Sequence, residues 1–260
     1  MKLWGRGLIL AFWAMPVMAS ASAWLPDPGA TELIVKAETV SADRGFNAAG
    51  DKAIYLGNWE EKRVTVYADH GINDLFSVFG KLNIQDIQTS TDDFSGLGSV
   101  EIGVKTALYR DDHSVVSASV SVDGFGQGRR ADFDETGNDD PDIEARLYGG
   151  HGFTVGGKPA FIDAQIARRA RGGMDADQWR VDVTAGLTPS PKWLVLGQVY
   201  VGQTDKRQGF QAKWTHGEIS AVRFFDEKQT LGVQVGYRQT LSGENVPETK
   251  TFTVGLWKRF

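Results

Sequence analysis

Thr249-Lys-Thr-Phe-Thr-Val-Gly-Leu-Trp-Lys-Arg-Phe260 is the stretch on which the fold turns. Phe252, Val254, Leu256 and Phe260 fall on one face of an extended segment, while Thr251, Thr253, Gly255, Trp257 and Arg259 fall on the other. Successive side chains of a strand point to opposite faces, so this alternation describes a strand lying between an apolar and a polar surrounding. Which of the two is the interior decides the architecture.

Working outward, the same pattern recurs along the chain. Strands are expected at Thr31–Ser41, Glu61–Gly71, Leu75–Ile87, Ser99–Arg110, Ser114–Gly124 and Asp142–Phe153. Six more follow at Ala160–Arg171, Gln178–Thr188, Lys192–Gln203, Ala212–Phe225, Leu231–Leu241 and the C-terminal stretch, twelve in all. Their connections alternate between long polar ones (Ala42–Glu60, Gln88–Gly96, Phe125–Pro141) and tight ones such as Asp111-Asp112-His113 and Gly156-Gly157-Lys158. Tight turns join antiparallel neighbours, and transmembrane barrels place short turns at one end and long loops at the other. With twelve strands both chain ends fall on the short-turn side. A crossing takes about ten residues at the usual tilt, which these segments supply.

Composition agrees. Of 260 residues 31 are glycine and 8 proline, as suits many strands with tight turns. Hydrophobic content is 41%, and after the leader no run of about eighteen apolar residues occurs, so a helical membrane protein is excluded. There is no cysteine, hence no disulfide framework. The formal charge is −5 without a basic cluster, and no nucleic-acid partner is expected. Residues 1–23 read as a signal peptide: Lys2 and Arg6 ahead of an apolar Leu8–Met18 core and an Ala21-Ser22-Ala23 cleavage site. The exported chain is expected to begin at Trp24, leaving 24–260 as one domain.

A soluble β-sandwich would also show short strands with turn signals, but it buries its apolar face and rarely places charges at successive polar positions. Here it is the charged parity that repeats. If the apolar face meets lipid, the opposite parity lines a lumen. Lys36, Glu38, Arg63, Asp69, Lys81, Glu101, Lys105, Glu144 and Arg146 are its expected charged residues in the first half, followed by Asp163, Arg169, Arg171, Arg180, Asp182, Glu218 and Arg238. Arg146, Arg169, Arg171 and Arg180 come from neighbouring strands and suggest a basic ladder, with Asp163 and Asp182 on the same strands to neutralise it. Trp179, Trp193, Trp214 and Tyr237 read as aromatic girdles at the membrane interfaces.

The ending resembles that of Gram-negative outer-membrane β-barrels, whose last strand with its terminal Phe is an insertion signal. The resemblance implies contact with outer-membrane lipid and lipopolysaccharide, and delivery by the barrel-assembly machinery through the strand ending in Phe260. Phe94-Ser-Gly-Leu-Gly-Ser-Val-Glu-Ile-Gly103 and Tyr67-Ala-Asp-His-Gly-Ile-Asn-Asp74 are similar to two motifs of an uncharacterised group of such barrels, which includes those assigned to the MetA pathway of phenol degradation. Ser99 stands where that group has Asp. The similarity implies passage of small hydrophobic or aromatic compounds.

Signals for chemistry are few. No nucleophile elbow, zinc helix or phosphate loop occurs, and neither a cofactor nor a metal is expected. The acidic stretch Asp132–Asp140 lacks the closing carboxylate of a calcium loop, Ile143 standing there instead. Of four histidines, His70 and His151 sit at short-turn ends as interface anchors and His113 lies in a turn. His216 faces inward, with Ser220 on its face but about 13 Å away at strand rise, beyond a nucleophile–base bond. The leading expectation is therefore passage of a small solute through a charge-lined lumen. An enzyme acting on lipid at the outer rim, as barrel phospholipases and deacylases do, and a closed structural or adhesive barrel are the alternatives.

Overall fold

In the computed structural model the chain is described over residues 22–89, 93–124, 140–173 and 175–260. The strands are β1 (Thr31–Phe46), β2 (Lys52–Gly71), β3 (Phe76–Thr89), β4 (Asp93–Arg110), β5 (Ser114–Gly124), β6 (Asp142–Val155) and β7 (Lys158–Ala170). They continue with β8 (Gln178–Ser190), β9 (Trp193–Thr204), β10 (Lys213–Phe224), β11 (Leu231–Glu244), the two-residue β12 (Val246–Pro247) and β13 (Lys250–Arg259). Twelve of these form the wall, each antiparallel to its neighbour in sequence, and β12 merely pairs with the tip of β1. β1 pairs with β2 on one side and with β13 on the other, from Glu32↔Arg259 to Ser41↔Lys250. The sheet therefore closes into a barrel and presents no free edge, the condition for placing backbone in lipid.

Burial is inverted relative to a water-soluble protein. Phe252, Ile219 and Ile102 are 66%, 64% and 63% exposed, whereas Lys105, Asp163 and Arg169 are 1%, 1% and 3% exposed. The apolar parity is outside and the charged parity inside, which excludes a two-layer sandwich with an apolar centre.

The hairpins are longer than the sequence suggests. β1 and β2 run on through most of the expected 42–60 loop, interrupted by a bulge between Ala42 and Arg44 that shifts the alternation. At the tip, Asn47 Oδ1 accepts from the amides of Ala49 and Asp51 at 2.8 and 2.9 Å. A second bulge, at Asn83/Ile84, lets β4 begin at Asp93 within the expected 88–96 loop. The acidic segment Asp132–Asp139 lies outside the described residues.

Short turns follow local chemistry. Gly156 and Gly157 have φ of 55° and 73°, as a two-residue hairpin loop with both central residues left-handed requires. In the β4–β5 turn the Asp111 carboxylate accepts from Tyr109 Oη (2.7 Å) and from the His113 and Ser114 amides (2.8 and 2.6 Å). These bonds, the tyrosine's first, hold its pKa down to about 2. A depressed carboxylate stabilises the folded turn above the unfolded pKa of about 3.9 and loses that contribution as pH falls through the folded value. Amide hydrogen exchange at Ser114, corrected for its intrinsic pH dependence, should therefore quicken between about pH 4 and pH 2, and Asp111→Asn should abolish that step.

The inverted surface makes a sharper prediction. Ile219 lies in the middle of β10, and Ile219→Arg should destabilise the lipid-reconstituted barrel by about 2–4 kcal/mol in urea refolding from vesicles. At a water-exposed position the same change costs within about 0.5 kcal/mol, and a value that small would place this face in water.

Candidate functional site

A cavity of about 260 Å³ occupies the middle of the barrel and is lined from all twelve wall strands. Alternation brings long polar side chains inward at every second position, and antiparallel register sets them beside one another on neighbouring strands.

On one wall Glu144 is the hub. Its carboxylate accepts from Arg146 Nε at 2.8 Å and Arg169 Nε at 2.9 Å, with Arg180 Nη1 4.0 Å away. Arg146 also contacts Asp182 and donates to Gln165 Oε1 at 2.7 Å, and Arg169 Nη1 donates to Asp123 at 3.2 Å. On another wall Glu38 lies 3.7 Å from Arg63 and 3.5 Å from Arg238, and Arg238 reaches Glu218 at 3.8 Å. Glu61 sits 3.0 Å from Arg63 and accepts from Gln85 at 3.1 Å. Unpaired charges in such an interior cost several kcal/mol, so the opposite signs are interleaved.

The residues expected to line a lumen all lie on the inner side. Lys36, Glu38, Arg63, Lys81, Glu101, Glu144, Arg146, Arg169, Arg180, Asp182 and Arg238 border the cavity. Asp69, Lys105 and Asp163 are buried toward the short-turn end, Glu218 is buried beside Arg238, and Arg171 lies near the long-loop end, bonded to Asp142 at 3.1 Å. The arginine ladder exists as neighbouring side chains but not as a free basic track, because each arginine contacts a carboxylate. Trp214 does not join an outer girdle. It shares the parity of His216 and Glu218 and is only 8% exposed, packed over Gly202, where an added Cβ would stand 2.1 Å from its ring. Trp179 and Trp193 are exposed on the outside as expected.

The short-turn mouth holds what the sequence did not announce. Ser22, Ala23, Trp24 and Leu25 enter the barrel and are buried there. Ala23 N donates to Asp163 Oδ2 at 2.7 Å, Ser117 Oγ to the Ala23 carbonyl at 2.7 Å, and Lys105 Nζ to the Ser22 carbonyl at 3.1 Å. Trp24 packs edge-on against Phe161, with ring centroids 5.8 Å apart, and belongs to an apolar cluster that includes Tyr148, Leu194, Phe224 and Trp257. An added Cβ at Gly150 would come within 2.5 Å of the Trp24 ring, so that glycine makes room for it.

The serine on the face of His216 is engaged by a glutamine. Ser220 Oγ accepts from Gln234 Nε2 at 2.9 Å, and Gln234 is held in turn by Trp257 Nε1 at 2.9 Å. His70 bonds Thr31 and His151 bonds Ser114 at the short-turn rim, at 2.8 and 2.9 Å, which ties adjacent strands together. Among the described residues no cluster of three or more metal-ligating side chains occurs.

No protein family matches the chain by sequence, and no curated protein does. Solved structures match well. The COG4313 outer membrane channel from Pseudomonas putida F1 superposes with a TM-score of 0.71 at 15% identity, over 94% of this chain and all of that one. The KdgM porin gives 0.55 at 8% identity over 87% and 99%, and the NanC porin 0.54 at 10% over 86% and 98%. At these identities the likeness establishes the fold, that of an outer-membrane β-barrel. The matches agree with the outer-membrane barrel group to which the Phe94–Gly103 and Tyr67–Asp74 motifs point and do not confirm the narrower phenol-degradation family.

Glu144 serves three arginines at once, so its removal should be expensive. Glu144→Gln leaves buried guanidinium groups short of a counter-charge and should lower stability by about 3–5 kcal/mol, measured by denaturant unfolding in detergent or lipid.

Proposed function

We propose that the protein is an outer-membrane channel for small polar or charged solutes, with a charge-paired lumen and a short-turn mouth occluded by its own Ser22–Leu25 segment. The observation that carries this reading is the cavity itself. A closed barrel with an apolar exterior surrounds about 260 Å³ bordered by both signs of charge. Rings and ladders of charged side chains are what select hydrophilic solutes in barrel channels. A hydrophobic or aromatic solute would have to cross this charged layer without replacing any of its hydrogen bonds, so a hydrophilic one fits better.

Ser22, the first described residue, and Phe260 lie at the short-turn end, which in an exported single-chain barrel is the periplasmic one. The outer wall would contact outer-membrane lipid and lipopolysaccharide, and the last strand, ending at Phe260, would be handed to the assembly machinery.

The buried Ser22–Leu25 segment makes the occluded form the resting one. Trp24 is its largest anchor, and the segment leaves the barrel where the Asp27 and Pro26 carbonyls press on Gly71. Trp24→Ala should loosen it and raise single-channel conductance in planar bilayers several-fold over the unchanged protein. Silence of both proteins would favour a closed structural barrel. In the conducting variant Lys36→Glu, at a cavity-lining position on β1, should shift the reversal potential in a salt gradient toward cation preference.

A further inference from the structure

We infer that signal peptidase cuts this chain after Ala21, and that the new α-ammonium of Ser22 binds in the short-turn mouth between Asp69 and Ser77. The sequence offers two overlapping small-x-small sites, Ala19-Ser20-Ala21 and Ala21-Ser22-Ala23, and by pattern alone either serves. The structure distinguishes them. Three inward-facing side chains hold the backbone of Ser22 and Ala23: Lys105 on the Ser22 carbonyl, Ser117 on the Ala23 carbonyl and Asp163 on the Ala23 amide. Cutting after Ala23 discards both carbonyls and leaves the hydroxyl of Ser117, a fully buried residue, without that acceptor. Cutting after Ala21 keeps all three bonds.

A second observation concerns what is left over. Asp69 uses Oδ2 for Lys105 Nζ (2.9 Å) and Tyr67 Oη (3.2 Å), while its Oδ1 is buried without a partner. Ser77, paired directly with Lys105 across β3 and β4, is fully buried, and its Oγ has no partner either. Both orphans flank the lysine that holds the Ser22 carbonyl. Charge points the same way. Glu32 and Arg259 at this end pair with each other, which leaves Asp69 and Asp163 with Lys105 as their near ammonium, and among the described residues Asp163 accepts from the neutral Ala23 amide and Gln165. Hydrolysis of the Ala21–Ser22 bond, with water supplying a carboxylate to Ala21 and an amine to Ser22, creates the missing cation. With an ordinary pKa of about 7.7–8.0, such an amine beside a carboxylate is charged at neutral pH. It supplies donors to Asp69 Oδ1 and Ser77 Oγ in a charge-assisted arrangement.

The inference rests on export of the chain but not on conduction, so its failure is separable from that of the channel. The experiment uses protein purified from outer membranes. Intact mass should show a start at Ser22. Periodate, which converts an N-terminal serine to an aldehyde that hydroxylamine reagents capture, should label the unfolded chain readily and the folded chain slowly. Asp69→Asn should speed labelling of the folded protein about tenfold or more, as loss of a charge-assisted hydrogen bond would. Ser77→Ala should act in the same direction and stands in where the Asp69 variant does not fold. A start at Trp24, or no periodate adduct on the unfolded chain, overturns the processing site. Equal labelling of folded and unfolded protein, or protection unchanged in both variants, overturns the docking site. A retained leader overturns the export on which both stand.

Discussion

The ladder between β1 and β13 is the interaction on which everything else depends. Twelve antiparallel strands with an apolar outer face are stable in hydrocarbon only if the first and last find each other. Otherwise two rows of backbone amides and carbonyls meet lipid unpaired, at several kcal/mol for each group. Side chains reinforce the closure. Arg259 donates to Glu32 at 2.8 and 2.9 Å across the seam, Thr253 donates to Glu38 at 3.1 Å, and the Thr31 and Phe260 backbones bond each other at the rim. The seam joins the two ends of the barrel, so its closure spans a far longer stretch of chain than any of the eleven sequential pairings.

Closure in turn dictates the interior. Once the apolar parity is committed to lipid, the other parity has nowhere to go but inward, and the charges there must satisfy one another. Glu144 among three arginines and Glu38 between Arg63 and Arg238 are solutions to that demand. Such interleaving has a functional corollary. A track of free arginines would bind anions and hold them, whereas paired ones would present alternating partial charges to any solute that entered. Conduction needs binding weak enough to be reversed, and pairing the lining weakens it.

How far the sequence disclosed this can be judged residue by residue. The period-2 alternation gave the strand count, the closed architecture and the inward parity of Lys36 through Arg238, because in a barrel the same rule governs every strand. The signal failed where the rule is locally broken. The bulge at Ala42/Arg44 and the extra residue Gly98 in β4 reset the alternation, and the stretches 42–46, 52–59 and 93–96 read as loops although they lie within strands. Trp214 was misplaced because a tryptophan near a strand end fits a girdle by composition, although its parity with Glu218 already pointed inward. The partners of the arginines were only half visible: Asp123 and Asp142 lie at strand ends, where a carboxylate also reads as part of a turn. Ser22–Leu25 was hidden altogether. Small residues and one tryptophan beside a cleavage site carry no periodicity, and burial inside a barrel formed by residues far along the chain is a tertiary fact.

That buried segment follows from barrel size. Diameter grows with strand number, and about eight strands already enclose a space that side chains just fill. Twelve enclose more, and part of the excess here is taken up by the longest side chains available, arginines at mid-height and Phe161, Phe224 and Trp257 toward the short-turn end. Even so, the apolar cluster at that end includes Ala23 and Trp24, residues from outside the wall, of which Trp24 is by far the larger. A wall with one more tryptophan would fill the same gap permanently. Supplying it from a segment held by a few side-chain hydrogen bonds fills the gap without adding to the wall, and no strand pairing depends on that segment. The barrel is thus held by a continuous ladder where closure in lipid demands it, and at the short-turn mouth by a segment that belongs to no strand.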